Sequence, residues 1–158
     1  MNINSILLRI LAVAVCVAAL TIGCGPRGER CGKCGMLVDD HPRWVAGMIT
    51  ASGEPQRFCC PRCLFAHGHS PRGSGGRDAW VTEYYTQQRL SVTNVLFVMG
   101  SDLTGPMGKA LVPIAGRTPA EQFMKDHRGT RVLTVAEITP DLLREIAGKP
   151  ALPTSPAP

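Results

Sequence analysis

Cys31-Gly-Lys-Cys34 and Cys60-Pro-Arg-Cys63 are two C-x2-C pairs separated by 25 residues. A two-residue spacer in a turn brings both sulfurs of a pair to one ion, and two such knuckles complete a four-thiolate tetrahedron. Pro61 suits a first helical position, which makes Cys60 the N-cap and Cys63 the third residue of a short helix. Both sulfurs then lie at the positive end of that helix, where the field favours thiolate over thiol. The pattern signals a metal without choosing which. A structural zinc that staples a small domain also satisfies the spacing, as do one or two disulfides.

Two features tilt the reading from zinc towards Cu(I). Cys59 adds a fifth thiol beside a complete set of four, and Met36 follows Cys34 by two residues in Cys34-Gly35-Met36. A thioether is a poor zinc ligand and a good one for Cu(I), which prefers soft sulfur and accepts low coordination. Gly35 allows the backbone to fold so that both sulfurs face one point. Met48, Met99 and Met124 lie in apolar stretches and read as core fillers. Met107 differs, because Gly105-Pro-Met-Gly108 is a rigid turn that presents a thioether rather than burying it. His41, His67, His69 and His127 are further potential ligands. Of these, His67 and His69 follow the Cys-bearing helix, but a lone His is more often a satisfied surface or core residue. The acidic residues form no pair suited to acid–base chemistry, and neither a Ser/His/Asp pattern nor a phosphate-binding loop is present.

The compartment follows from the N-terminus. Residues 1–9 carry one Arg and no acid, and residues 10–22 are apolar apart from Thr21. Thirteen residues are too few to cross a hydrocarbon core of roughly 30 Å as a helix, so the segment reads as the apolar region of an export signal. It ends in Gly23-Cys24, which resembles a bacterial lipoprotein cleavage site, with Thr21 where Leu is usual. Residues 1–23 are therefore expected to be removed and Cys24 to be acylated. The alternatives are an ordinary signal peptide or one uncleaved anchor. Cys16 leaves with the leader, and Cys31, Cys34, Cys59, Cys60 and Cys63 remain. Five thiols in an exported chain cannot form a closed set of disulfides. The formal charge of +5 comes without a long basic run and with few aromatics, which fits an anionic membrane surface and argues against nucleic acid.

Residues 24–30 form a short polar tether. Periodicity and turn signals then give an α+β chain: two small ββαβ units in tandem, over residues 31–88 and 89–148, with a short C-terminal helix. In the first unit, strands at residues 43–50 and 56–59 form a hairpin. The helix opens at Pro61, a Gly-rich loop covers residues 67–78, and a third strand covers residues 79–85. In the second, strands at residues 94–99, 110–114 and 131–135 flank a helix that Thr118 should cap, with Glu121 completing a capping box. Ala120, Phe123, Met124 and His127 share one face of that helix. Thr139-Pro140-Asp141 starts the last helix. Residues 149–158, with four prolines, have no core-forming pattern and read as disordered.

These residues resemble the NosL family, bacterial copper-binding lipoproteins encoded with nitrous oxide reductase. The likeness rests on Cys34-Gly35-Met36 soon after a lipoprotein signal, a Phe-containing strand before the first helix, Trp80-Val-Thr-Glu-Tyr84 and Gly105-Pro-Met-Gly108. It runs from about Cys31 to Ile138. It implies a periplasmic, lipid-anchored Cu(I) metallochaperone that exchanges copper with donor or acceptor proteins of the cell envelope, including the nitrous oxide reductase maturation machinery. The family's copper ligands carry over to Cys34 and Met36, and then to Met107. Glu83 stands where the family has Asp, and the additional Cys31, Cys59, Cys60 and Cys63 make this a Cys-rich version. A carrier that makes no bond in a substrate is thus expected. The competing classes are a structural zinc module and a thiol–disulfide oxidoreductase; for the latter, the first Cys pair lacks the following helix that such enzymes use.

Overall fold

The computed structural model describes residues 28–68 and 76–148. The expected leader, Cys24, His69 and the Pro-rich tail lie outside the described residues. No described helix is long and apolar enough to cross a membrane.

A 3-10 turn at Pro42–Trp44 leads into β1 (Ala46–Thr50), which pairs antiparallel with β2 (Pro55–Phe58). Helix α1 (Pro61–Ala66) follows, and β3 (Gly76–Thr82) returns along the other side of β1. β4 (Arg89–Ser91) extends the sheet, giving the order β2-β1-β3-β4. Trp80 lies across Gly47 so closely that a Cβ there would stand 2.6 Å from the indole, and the Arg89 guanidinium covers the ring at 4.2 Å. Only glycine leaves room for that ring on β1.

The second sheet has the order β8-β5-β9, with β5 (Leu96–Met99) central, β8 (Val112–Ile114) on one side and β9 (Arg131–Leu133) on the other. Helix α2 (Arg117–Asp126) connects β8 to β9, as α1 connects β2 to β3. A small hairpin, β6 (Thr104–Gly105) and β7 (Gly108–Lys109), is inserted between β5 and β8, and α3 (Pro140–Ile146) packs on α1.

Successive side chains of β5 point to opposite faces. Phe97 and Met99 enter a core shared with Phe58, Leu64, Phe65, Val81, Leu142 and Ile146, while Val98 joins Val112, Ile114, Ala120 and Phe123 under α2. The second sheet therefore lies between two apolar layers, and one of these is continuous with the first sheet and α1.

Three expectations are corrected. The third strand occupies Gly76–Thr82, not residues 79–85, because Glu83 ends it: the carboxylate accepts from the Thr86 amide (2.6 Å) and hydroxyl (2.7 Å) and folds the chain into a turn. β4 pairs with β3, so residues 89–91 belong to the first sheet and not to the second. Thr118 does not cap α2. Gly116, at φ +88°, turns the chain into the helix earlier, leaving Thr118 inside the first turn. A capping box forms instead at Thr134 and Glu137.

Candidate metal centre

The first Cys pair lies on a loop that the backbone closes tightly. The Cys31 amide donates to the Met36 carbonyl (2.8 Å), the Gly35 amide to the Cys31 carbonyl (3.0 Å), and Gly35 takes φ +77° in open space. That conformation is inexpensive only for glycine. An isolated bridge between Arg30 and Leu37 seals the base of the loop. β2 then fixes it from the side: the Gly32 amide donates to the Arg57 carbonyl (3.1 Å), and the Arg57 guanidinium reaches Glu29 (3.0 Å) and Asp39 (2.9 Å), one before the loop and one after it.

The remaining cysteines come from the junction of β2 and α1. Cys60 is the N-cap, with extended φ −164° and ψ 164°, Pro61 follows, and Cys63 is the third helical residue, as the sequence implies. Cys59 immediately precedes that cap, and its thiol is hydrogen-bonded to the thiol of Cys60. The sulfurs of Cys31, Cys34, Cys59 and Cys63 all lie within 4.8 Å of one another. Cys59 Sγ is 3.5 Å from Cys34 Sγ and 3.7 Å from Cys63 Sγ. The geometry thus pairs the first knuckle with Cys59 and Cys63, and not with the Cys60/Cys63 pair that C-x2-C spacing suggests. Cys60 is buried next to this group and interacts with the thiols of Cys59 and Cys63. All five are free thiols; Cys34 is half-buried and the other four are buried.

Their proton affinities diverge. Burial works against ionisation of Cys31, but amide donors from Cys59, Cys34 and Lys33 and the Cys34 thiol outweigh it and bring its pKa down to about 7. Cys34 goes the other way, to about 11, chiefly through burial. Cys59 is raised by its hydrogen bond with the Cys60 thiol and by burial. Cys60 is helped to ionise by Cys59, yet Cys63 and burial push it up to about 12. Cys63 is likewise favoured by Cys60, but burial and repulsion from Cys59 and Cys31 leave it raised. Near neutrality Cys31 is therefore the thiol most readily ionised, and its neighbours hold protons that an incoming cation must displace. The helix N-terminus alone does not ionise Cys60 or Cys63.

Met36 is half-buried and packs against the same core as Cys34. Met107 is 39% exposed at the tip of the β6–β7 hairpin. It lines a small cleft with Trp44 and Cys60. Arg62 of α1 holds that hairpin by donating to the carbonyls of Met107 (2.6 Å) and Lys109 (2.9 Å). Met48 and Met99 are buried and Met124 is partly so, as core fillers should be. The described histidines are not part of the four-sulfur group. His67 packs on Phe58 at 5.1 Å, and His127 stacks on Phe123 and contacts Asp102 at 3.2 Å. Arg57 and Arg62 were not evident as positioning groups in the sequence, because an Arg signals its partners only once the loops are folded. Glu83, buried, also accepts from the Ala115 amide at 3.4 Å and so ties the end of the first sheet to the turn before α2.

An α+β chain that gathers several buried thiols at a loop and a strand–helix junction is built around sulfur, with the methionine-bearing hairpin beside it. The NosL family model matches residues 26–143, and the chain belongs to the NosL family. It is 26% identical over 159 aligned residues to the copper-binding lipoprotein NosL of Stutzerimonas stutzeri, covering 85% of this chain and 82% of that protein. Its fold matches that of the copper chaperone NosL from Shewanella denitrificans with a TM-score of 0.63 and 24% identity, covering 71% of this chain and 90% of that one.

Proposed function

We propose that this protein is a copper chaperone of the bacterial cell envelope, a carrier and not an enzyme, which binds Cu(I) through thiols drawn from the cluster of Cys31, Cys34, Cys59 and Cys63. The observation that carries this reading is the convergence of those four sulfurs within 4.8 Å. Thiolates supply charge and softness, and a low-coordinate Cu(I) can move to a partner by gaining and losing one ligand at a time. Met36 supplies a thioether next to Cys34, and Met107, beside Cys60 in its cleft, offers another at the surface. Cys24 is the acylated first residue that anchors the mature chain to the membrane on its periplasmic side. Copper donors or acceptors of the envelope, among them the maturation machinery of nitrous oxide reductase, are the partners this reading implies.

One observation favours a second reading. Sulfurs 3.5 and 3.7 Å apart are close to the edge of a zinc–thiolate tetrahedron, about 3.8 Å for a Zn–S bond of about 2.3 Å. A structural zinc would use the same four residues. The two readings separate in one experiment: metal analysis of protein purified anaerobically from the periplasm, followed by competition against a Cu(I) chelator. The carrier reading expects copper, tight Cu(I) binding, and weaker binding in Cys34→Ser. Stoichiometric zinc that Cu(I) does not displace, with unfolding on its removal, hands the site to zinc.

A further inference from the structure

Four sulfurs within 4.8 Å of one another, with Cys60 adjoining two of them, are more than a single Cu(I) takes, since a soft monovalent ion is satisfied by two or three thiolates. Cys59 is the sulfur that joins two sets. On one side it lies 3.5 Å from Cys34, which shares its loop with Cys31; on the other it lies 3.7 Å from Cys63 and beside Cys60. We infer that the protein holds two Cu(I) ions, one on Cys31, Cys34 and Cys59 and the other on Cys59, Cys60 and Cys63, with the Cys59 thiolate bridging them. Two three-coordinate ions need six ligand positions, and five sulfurs with one bridge provide six.

The fold supports the second position independently of the first. Cys59, Cys60 and Cys63 belong to one short stretch fixed by Pro61 and the first turn of α1, where the amides of Cys63 and Leu64 donate to the Cys60 carbonyl at 3.0 and 3.2 Å. Cys60 also lines the cleft that holds Met107, so the second ion would lie next to a surface thioether while the first lies under the Cys31–Met36 loop. Each ion that binds converts thiols to thiolates and releases their protons to solvent, with no change in oxidation state.

This inference rests on the Cu(I)-carrier reading, and the test separates the two. The full chain is reduced, loaded anaerobically with Cu(I) from a weak chelator, and measured by native mass spectrometry and by the visible luminescence of solvent-shielded polynuclear Cu(I)–thiolate units. Wild type is expected to take up two ions and to luminesce. Cys60→Ser, and Cys60→Ala as a second replacement, should take up one and lose the emission, while the remaining ion keeps its affinity within about threefold. Wild type that saturates with one tightly held Cu(I) overturns the two-ion inference and leaves the carrier reading intact. Two ions retained in both Cys60 variants overturn it as well. No tight Cu(I) in wild type overturns both readings together. The wild-type stoichiometry is decisive even if a Cys60 variant fails to fold.

Discussion

Cys34 is the residue on which copper and zinc readings diverge most cleanly, because its neighbour Met36 matters to one metal and not to the other. Met36→Leu keeps roughly the same volume and apolar character, so the expected outcome is an unchanged melting temperature and zinc affinity with weaker Cu(I) binding in chelator competition. Proton balance gives a second prediction. Cys34, Cys59, Cys60 and Cys63 are all raised, so a cation must displace their protons at neutral pH and apparent affinity climbs as pH rises. Cys31, down at about 7, adds to that climb only below neutrality. Calorimetry in buffers of differing ionisation enthalpy should show more than one proton released per ion. The cysteine types and their two stretches were legible in the sequence, but the assignment of Cys59 to the four-sulfur group was not. Spacing counts residues along the chain, whereas membership of the group depends on which sulfurs the folded Cys31–Met36 loop meets at the β2–α1 junction.

At the scale of elements, β2 and the Cys31–Met36 loop behave as one unit because Arg57 joins both ends of the loop to the strand. Arg57→Leu removes two partly exposed ion pairs, which costs only about 1 kcal/mol of stability. The same change should weaken metal binding roughly tenfold, as outer-shell contacts do; thermal denaturation of the apo form and metal competition measure the two effects separately. Glu83→Ala is the opposite case. It removes a buried carboxylate that satisfies two amides and a hydroxyl, and about 2–3 kcal/mol should be lost in denaturant unfolding, with copper stoichiometry kept in the folded fraction. In the capping box, Glu137 is held below the usual carboxylate range by the Thr134 amide and hydroxyl. Its contribution is therefore present above the unfolded carboxylate pKa and fades as pH falls through the lower folded one. Strand and helix positions were largely legible from periodicity and Pro signals, and the start of α3 at Thr139 matches, its hydroxyl accepting from the Leu142 amide. The end of β3 was not legible, since it depends on the Glu83 carboxylate turning back to the Thr86 amide and hydroxyl, in a stretch whose aromatic and β-branched residues read as continuing strand.

For the whole molecule, the sequence carries the α+β class and the apolar stretches, but not the way the sheets share a core. Phe97 from the second sheet meets Phe65 of α1 edge-on at 5.2 Å, a contact no local pattern announces. The cleft beside the candidate centre likewise joins distant parts of the chain: Arg62 belongs to α1, Met107 to a hairpin inserted in the second sheet. Arg62→Met should free that hairpin, raising amide exchange at residues 104–109 while leaving the four-sulfur site and its equilibrium affinity near wild type. Anchoring is a property of the whole chain as well. Mass spectrometry of the membrane-associated protein should find a diacylated or triacylated Cys24 at its N-terminus, since two or more acyl chains give durable attachment where one does not; an unmodified terminus elsewhere removes the anchor from the proposal.

The unequal burial of the sulfurs has a kinetic consequence. Cys34 is the half-open member of a group whose other sulfurs are closed off, so a thiol-reactive probe, an oxidant or a competing ligand meets that atom before the rest. Spontaneous loss of an ion requires the enclosed sulfurs to let go without help and should be slow. A visitor that supplies its own sulfur at Cys34 can take the place of one bond while the others still hold, then work inward. For the proposed carrier, tight retention in solution and rapid surrender on contact are both expected from the same asymmetry, with the accessible thiol serving as a doorway rather than as the strongest hold.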